Sequence, residues 1–311
     1  MKNAVPPSIS GASISLIVLT YNEEKNLEHC LNSVKEWAHE IIIVDSFSTD
    51  ATLDIARQYT NNVYQHPFEN QAEQLNWALD NVPVSGDWVL RLDADEMATP
   101  ELATEISSVL PGLSPDVTGL YIKRRVYFMG RWMRHGGYYP TWLLRAWRKG
   151  CARSEERVMD EHMVLLRGSA DYLKHDIKEE NRKDLFAWVE RQNRYSSREV
   201  EALLRPAVQQ EIAPSLFGTP VARRRWLKYN VYLRFPPFLR AFLFFLWRYF
   251  FQLGFLDGKE GLIFHFLQGC WHRFMLDAKL YEFRLKERRT GPPEVAPKAP
   301  QEVGERGKIS E

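Results

Sequence analysis

Between residues 14 and 96, short apolar runs alternate with helix-length segments, and acidic or hydroxyl side chains gather wherever an apolar run ends. Ile14-Ser-Leu-Ile-Val-Leu19 and Glu40-Ile-Ile-Ile-Val44 are β-branched runs of the kind that form strands covered on both faces. Between them, residues 23–37 place Leu27, Cys30, Leu31 and Val34 at helical spacing. Residues 52–59 and 71–79 read as helices, 63–65 as a brief strand and 88–92 as another buried strand. This alternation predicts an α/β fold: a mostly parallel sheet flanked by helices, with right-handed crossovers. Ligands of such sheets bind beyond the carboxyl ends of the strands. Those ends carry Glu23, Asp45, Asp50, Asp93, Asp95 and Glu96.

After Pro111 the pattern loosens. A strand is expected over 119–127 and a short one over 141–147, within a Gly- and aromatic-rich loop region. Residues 181–204 read as a charged helix and 262–286 as an aromatic one. The expected organisation is an N-terminal extension (1–11), a catalytic α/β domain (12–180), a helical membrane-associating or acceptor region (181–288) and a disordered Pro/Gly/Glu/Lys tail (289–311). Residues 236–256 are long enough to span a bilayer. They include Arg240 and Arg248, however, and a central Arg costs roughly 2.5–3.5 kcal/mol on insertion scales. An interfacial or re-entrant helix accommodates both charges, and ordinary protein core is the alternative.

Leader and cysteine chemistry narrow the classes further. The first residues lack an apolar run, so no signal peptide is expected. Cys30, Cys151 and Cys270 are far apart and form no CxxC pair, which argues against a disulfide framework or a cysteine zinc site and suits a reducing compartment. Charge is balanced overall, 41 basic against 40 acidic residues, so the surface as a whole is not a nucleic-acid footprint. Locally it is uneven. Residues 117–154 carry nine basic side chains and 212–256 carry seven, neither run with an acid, and both are threaded with aromatics. Such segments suit phosphates, lipid headgroups or single-stranded nucleic acid.

Several nucleotide sites are excluded. The first strand runs into Thr20-Tyr-Asn-Glu-Glu24 without glycine, so the dinucleotide turn is missing, and neither a P-loop nor HExxH nor GxSxG occurs. Asp93-Ala-Asp95 is the central feature. On an extended backbone residues i and i+2 face one side, so both carboxylates can share a hard cation such as Mg²⁺ or Mn²⁺. A cation there neutralises a diphosphate leaving group.

Four segments in register carry a family resemblance: Leu19-Thr-Tyr-Asn-Glu23, Val44-Asp-Ser-Phe-Ser-Thr-Asp50, Asn70-Gln-Ala-Glu-Gln-Leu-Asn-Trp-Ala-Leu79 and Asp87-Trp-Val-Leu-Arg-Leu-Asp-Ala-Asp-Glu96. In order and spacing they resemble the nucleotide-sugar domain of family 2 inverting glycosyltransferases of the glycosyltransferase-A type. The resemblance is nearest to bacterial enzymes of lipopolysaccharide-core and exopolysaccharide assembly. It implies that Thr20, Tyr21 and Glu23 line a nucleoside pocket, that Asp45 accepts a base N–H, and that Ser48 and Asp50 close the turn beside it. Asp93 would lie near ribose and metal, and Asp95 would ligate Mg²⁺ or Mn²⁺. Where relatives often carry a basic residue this chain has Leu75.

The catalytic base is expected in Val158-Met-Asp-Glu-His-Met-Val164, with Glu161 as first choice and Asp160 as second; His162 would ligate the metal or touch the diphosphate. Arg145 and Arg148 are expected on diphosphate, with pairing to surface acids as the alternative; His135 lies in a loop over the acceptor and His175 is structural. The implied partners are a nucleotide-diphosphate sugar donor, a lipid-linked saccharide or lipopolysaccharide acceptor and the cytoplasmic membrane surface. Acidic strand ends disfavour nucleic acid. Transfer onto polyprenyl phosphate and a non-enzymatic aromatic-basic binding module are the alternatives.

Overall fold

A computed structural model describes residues 12–157, 159, 161–204, 213–217 and 220–290. The extension expected over residues 1–11, and the expected tail beyond Thr290, lie outside them. The chain opens as β1 (Ile14–Thr20), α1 (Leu27–Asn32), β2 (Glu40–Asp45), α2 (Thr52–Arg57), β3 (Val63–Gln65), α3 (Gln71–Asn81) and β4 (Trp88–Asp93). Next come β5 (Glu96–Ala98), α4 (Pro100–Val109), β6 (Val117–Phe128), β7 (Arg131–Trp132), β8 (Thr141–Arg148), β9 (Ala152–Ser154), β10 (Met163–Leu165) and β11 (Ser169–Glu180). Helices complete it: α5 (Leu185–Leu204), α6 (Pro220–Asn230), α7 (Leu239–Leu246), α8 (Gly258–His265) and α9 (His272–Thr290).

Nine strands form one sheet in the order β3-β2-β1-β4-β8-β6-β11-β5, with β7 paired to β6. The block β3-β2-β1-β4 is parallel throughout, as is the long β6–β11 pairing; the antiparallel joins are β4–β8, β6–β8, β6–β7 and β5–β11. Alternate residues of β1 feed two cores. Leu16 and Val18 pack with Leu27, Leu31 and Ile106 on one face, while Ile17 packs with Ile42, Leu75 and Ala78 on the other. That two-sided burial is why these strands read as continuous apolar runs. Local signals set the helix starts. The Asn70 side chain accepts from Glu73 N at 2.9 Å to cap α3, and Thr99 accepts from Leu102 N before Pro100 opens α4.

Differences from expectation have local causes. The helix expected over 23–37 is regular only across α1, because residues 33–37 leave it as turns. The expectations from sequence do not include the β5, α4, β7, β9, β10, β11 and α6 elements. β11 is rich in charged residues and interrupted by register shifts, and it is held as a strand by its ladder to β6. Residues 236–256 do not make one helix: α7 passes into a π-turn at Trp247–Phe251, Leu253 takes left-handed φ, and a 3-10 turn covers Gly254–Asp257. Among the described residues no single helix is long and apolar enough to cross a membrane. Leu239–Phe251 and Gly254–Arg289 together pass that test by length and composition, as a pair bent by 75°.

Candidate active site

The carboxyl ends of β1, β2 and β4 open into a cleft of about 2270 Å³ whose far wall is built by α5, α6, α7 and α9. At the β1 and β2 ends, the hydroxyl-rich sequence knits a rigid turn. Asp45 is fully buried, and its carboxylate accepts from Thr20 Oγ1 (2.9 Å), Ser48 N (2.8 Å), Ser48 Oγ (2.5 Å) and, at 3.4 Å, Gln65 Nε2. Asn22 N donates to Ser48 Oγ, and Thr49 N donates to Asn22 Oδ1. Asp50 accepts from Thr52 N, Thr52 Oγ1 and Glu24 N; burial acts to raise its pKa, but these hydrogen bonds bring it below the ordinary value. Ser48 and Asp50 thus close the turn, and a base contact at Asp45 has to compete with three intramolecular partners.

Tyr21 lines the cleft and is 56% exposed. Phe47, 52% exposed, joins it in a left-handed backbone conformation, φ 59°. A bulky residue held at such a φ, with its ring exposed in the cleft, is a strained feature that the sequence reading missed. Its only sequence signal is an aromatic inside a turn of Asp, Ser and Thr.

At the β4 end the backbone turns at Ala94–Asp95, so the extended-strand geometry expected for Asp93 and Asp95 is not adopted. Asp93 instead receives Arg91 Nη2 (3.1 Å), Gln71 Nε2 (3.1 Å) and Arg145 Nη2 (2.9 Å). Burial would raise its pKa, but Arg145 and Arg91 hold it well below the carboxylate range. Asp95 faces another group: its Oδ2 accepts from Asn181 Nδ2 (2.9 Å) and Arg191 Nη1 (3.2 Å). Both carboxylates line the cleft.

Arg145 was expected on diphosphate. Its side chain is buried, and Nη2 is shared between Asp93 and the fully buried Glu96 at 2.5 Å. A guanidinium enclosed by two carboxylates at the sheet centre is a structural tie. Arg148 likewise lies over the Trp88 ring and donates to the Val117 carbonyl. His175 bonds Glu105 (2.9 Å) away from the cleft, and His135 bonds Asp257 (2.6 Å) beneath the C-terminal helices.

The expected base segment borders the cleft through Glu161 and His162, whereas Asp160 lies outside the described residues. Glu155 anchors this segment: its backbone pairs with His162, and its carboxylate takes Arg225 of α6 at 2.8 and 2.5 Å. The anchoring bonds face α6; His162 lines the cleft with Asp93 and Asp95, and among the described residues no group of three His, Cys, Asp or Glu stands together at metal-binding spacing. What remains is a pair of hard oxygen donors. That set suits Mg²⁺ or Mn²⁺ held jointly with a diphosphate, since such ions commonly use one or two carboxylates plus phosphate oxygens and water.

A second wall went unread in the sequence. The end of β11 and the start of α5 supply Glu179, Glu180, Asn181, Lys183 and Arg191. Lys183 pairs with Glu23 at 2.7 Å; burial nonetheless leaves the Glu23 pKa raised. The signal available was the charge-dense run 178–184, placed after a strand that apolar periodicity does not reveal.

Residues 15–164 match the family model for Glycosyl transferase family 2. Among curated relatives, a glycosyltransferase of Rickettsia bellii is 37% identical over 103 residues, covering 33% of this chain and 34% of the relative. The lipopolysaccharide core biosynthesis glycosyltransferase LpsC of Rhizobium meliloti is 32% identical over 132 residues, 41% of this chain and 46% of the relative. The matched region is thus about a third to a half of these relatives' lengths. Among solved structures, the Mn²⁺–UDP complex of glucosyl-3-phosphoglycerate synthase from Mycobacterium tuberculosis aligns over 38% of this chain and 45% of that one, with 24% identity and a TM-score of 0.31.

Proposed function

We propose, from the match of residues 15–164 to the family model for Glycosyl transferase family 2, that the chain moves a sugar, with inversion, from a nucleotide-diphosphate donor to a hydroxyl of a lipid-linked saccharide or lipopolysaccharide-type acceptor. The observation that carries this reading is one cleft shared by the nucleotide-side residues Thr20, Tyr21, Glu23, Asp93 and Asp95 and by the carboxylate of Glu161. Tyr21 and Phe47 flank the base, and Asp45 braces the turn that presents them. Asp93 and Asp95 would hold Mg²⁺ or Mn²⁺ on the diphosphate, and the ion's contribution is to neutralise charge on the leaving group. Glu161 takes the proton of the acceptor hydroxyl as that oxygen bonds to the anomeric carbon. The anomeric carbon–oxygen bond breaks on the opposite side, and its electron pair leaves with the diphosphate. The similarity to LpsC supports a role in the lipopolysaccharide core.

The base is tested by Glu161→Gln. Turnover should fall on the order of a hundredfold or more, with nucleoside-diphosphate affinity measured by calorimetry little changed. Full turnover in Glu161→Gln would place the base elsewhere in the cleft.

We further propose that the C-terminal helices seat the enzyme on the cytoplasmic face of the membrane, peripherally or monotopically. Trp247 (53% exposed), Phe250, Phe251 (74%), Leu253 and Phe255 crowd the bend between α7 and α8, an apolar surface that water does not favour leaving bare. Arg225 is not part of a lipid-facing cation set, because it is buried on Glu155; Lys228 is half-buried on Glu199. The apolar bend should therefore dominate binding. In liposome flotation the intact chain is expected to float, and a variant with Trp247, Phe250 and Phe251 changed to Ser should lose most of that association. Equal flotation of both would remove the bend from the interface.

A further inference from the structure

Two guanidiniums on the helical wall of the cleft are not among the residues assigned to the donor above. Arg248 donates Nε to the Gly136 carbonyl at 2.6 Å and Nη2 to the Gly137 carbonyl at 3.0 Å, and it lies 3.8 Å from the Tyr138 ring centre. Arg273, in the first turn of α9, lies 4.0 Å over Phe244 and 5.0 Å over Tyr232, and its Nε is buried without a hydrogen-bond partner. Both line the cleft.

Their cationic neighbours are answered by acids. Arg240 is paired with Asp277, and Lys228 with Glu199 at 2.8 Å, where His272 also approaches. Neither Arg248 nor Arg273 has a carboxylate within ion-pair distance among the described residues; Glu199, whose pKa burial acts to raise and Arg273 helps to lower, is already engaged by Lys228 and His272. Burial lowers the Arg248 pKa; Tyr138 opposes this, while the Arg273 and Arg224 charges add to it. Half-buried cations that repel one another are stabilised by an incoming anion. Aromatic faces meanwhile hold the two forks in place.

The rim of the same wall is apolar. Val231, Phe235, Leu243 and Trp247 line the cleft yet stay exposed. A free anion has no use for such a rim, whereas an amphiphile matches both parts. We propose that Arg248 and Arg273 form an anion subsite for the phosphate of a lipid-linked acceptor, whose chain leaves across Leu243 and Trp247. The acceptor role rests on the glycosyltransferase reading above; the binding does not.

The test is equilibrium dialysis of the full chain with farnesyl diphosphate, farnesol and inorganic diphosphate. EDTA and saturating UDP keep the strand-end carboxylates from capturing the diphosphate through a metal. Farnesyl diphosphate should bind at least about tenfold more tightly than either fragment, as expected when a charge-assisted contact and apolar burial act together. Arg273→Gln should weaken farnesyl diphosphate about tenfold without changing farnesol, and Arg273→Lys should restore part of the loss. Because Arg248 also holds the Gly136–Gly137 backbone, Arg248→Lys is compared with Arg248→Gln, with melting temperature as the control for folding. Wild-type binding by a folded Arg273→Gln would overturn the subsite. So would inorganic diphosphate binding as tightly as farnesyl diphosphate, which marks a free-anion site, or farnesol doing so, which marks an apolar groove alone. A chain that binds farnesyl diphosphate as expected but transfers no sugar would refute the functional reading and leave the subsite standing.

Discussion

Asp95→Asn is expected to lower kcat by about a thousandfold or more while moving the melting temperature little. The amide keeps an oxygen that can still accept from Asn181 and Arg191, which now bond Asp95 at 2.9 and 3.2 Å, so local geometry has a substitute. What disappears is one negative charge at the position proposed for the diphosphate and its cation. Charge stabilisation of a leaving group by a bound cation is worth several kcal/mol, and about 4 kcal/mol corresponds to a thousandfold. Turnover is to be followed across a Mg²⁺ and Mn²⁺ titration, beside thermal unfolding. Normal turnover with unchanged metal dependence would remove Asp95 from the donor site, and a large fall in melting temperature would show that its hydrogen bonds matter more than its charge.

Arg145→Met is expected to have the largest effect on stability, about 3–5 kcal/mol, the usual cost of removing one partner from a buried ion pair. Arg145 is the shared partner of Asp93 at 2.9 Å and Glu96 at 2.5 Å, and its removal leaves two carboxylates facing each other in the sheet. Adding Glu96→Met should recover much of the loss, because it takes away an uncompensated charge. The deficit should also depend on pH. Burial pushes the Glu96 pKa up to about 7 from an ordinary 4.5, with Asp93 adding to the rise and Arg145 opposing it. A raised folded pKa means that the Glu96 contribution is fully present below about pH 4.5 and is lost as pH rises through 7. Without Arg145 that loss is larger, so the gap between wild type and variant should widen from pH 5.5 to pH 8 in urea melts. A gap that is constant with pH would mean that Glu96 is already neutral in the native protein.

Much of the donor half was legible because it depends on local rules. β1, β2 and β4 are apolar runs buried on both faces, and period and length alone distinguish them. Asn70 announces the start of α3 by chemistry confined to a few residues, whereas the equally local Thr99–Pro100 signal before α4 went unread. The match of residues 15–164 to the family 2 model bears out the glycosyltransferase reading over a non-enzymatic binding module. The strand-end turn was legible too, since Asp, Ser and Thr in that density have few other uses.

The wall that the end of β11 and the start of α5 add to the cleft was not legible, for a physical reason. β11 carries alternating charges and becomes a strand through its ladder to β6. Lys183 and Arg191 reach Glu23 and Asp95 across separations of 160 and 96 residues. No pattern within one segment encodes such pairs. Nor could sequence spacing tell that the chain turns at Ala94, which sends Asp93 toward Arg145 and Asp95 toward Asn181.

By itself, the sequence determined the parallel strands, the helices packed on them and the polar character of the strand ends, because apolar periodicity and capping act over a few residues. Only the tertiary structure decided which charges are spent on one another and which are left facing the cleft. Arg145 and Arg225 went inward onto carboxylates, while Arg248 and Arg273 stayed on the helical wall without a carboxylate at ion-pair distance among the described residues. A charge's role depends on the partner and the dielectric around it, and both are set by residues far away in the chain.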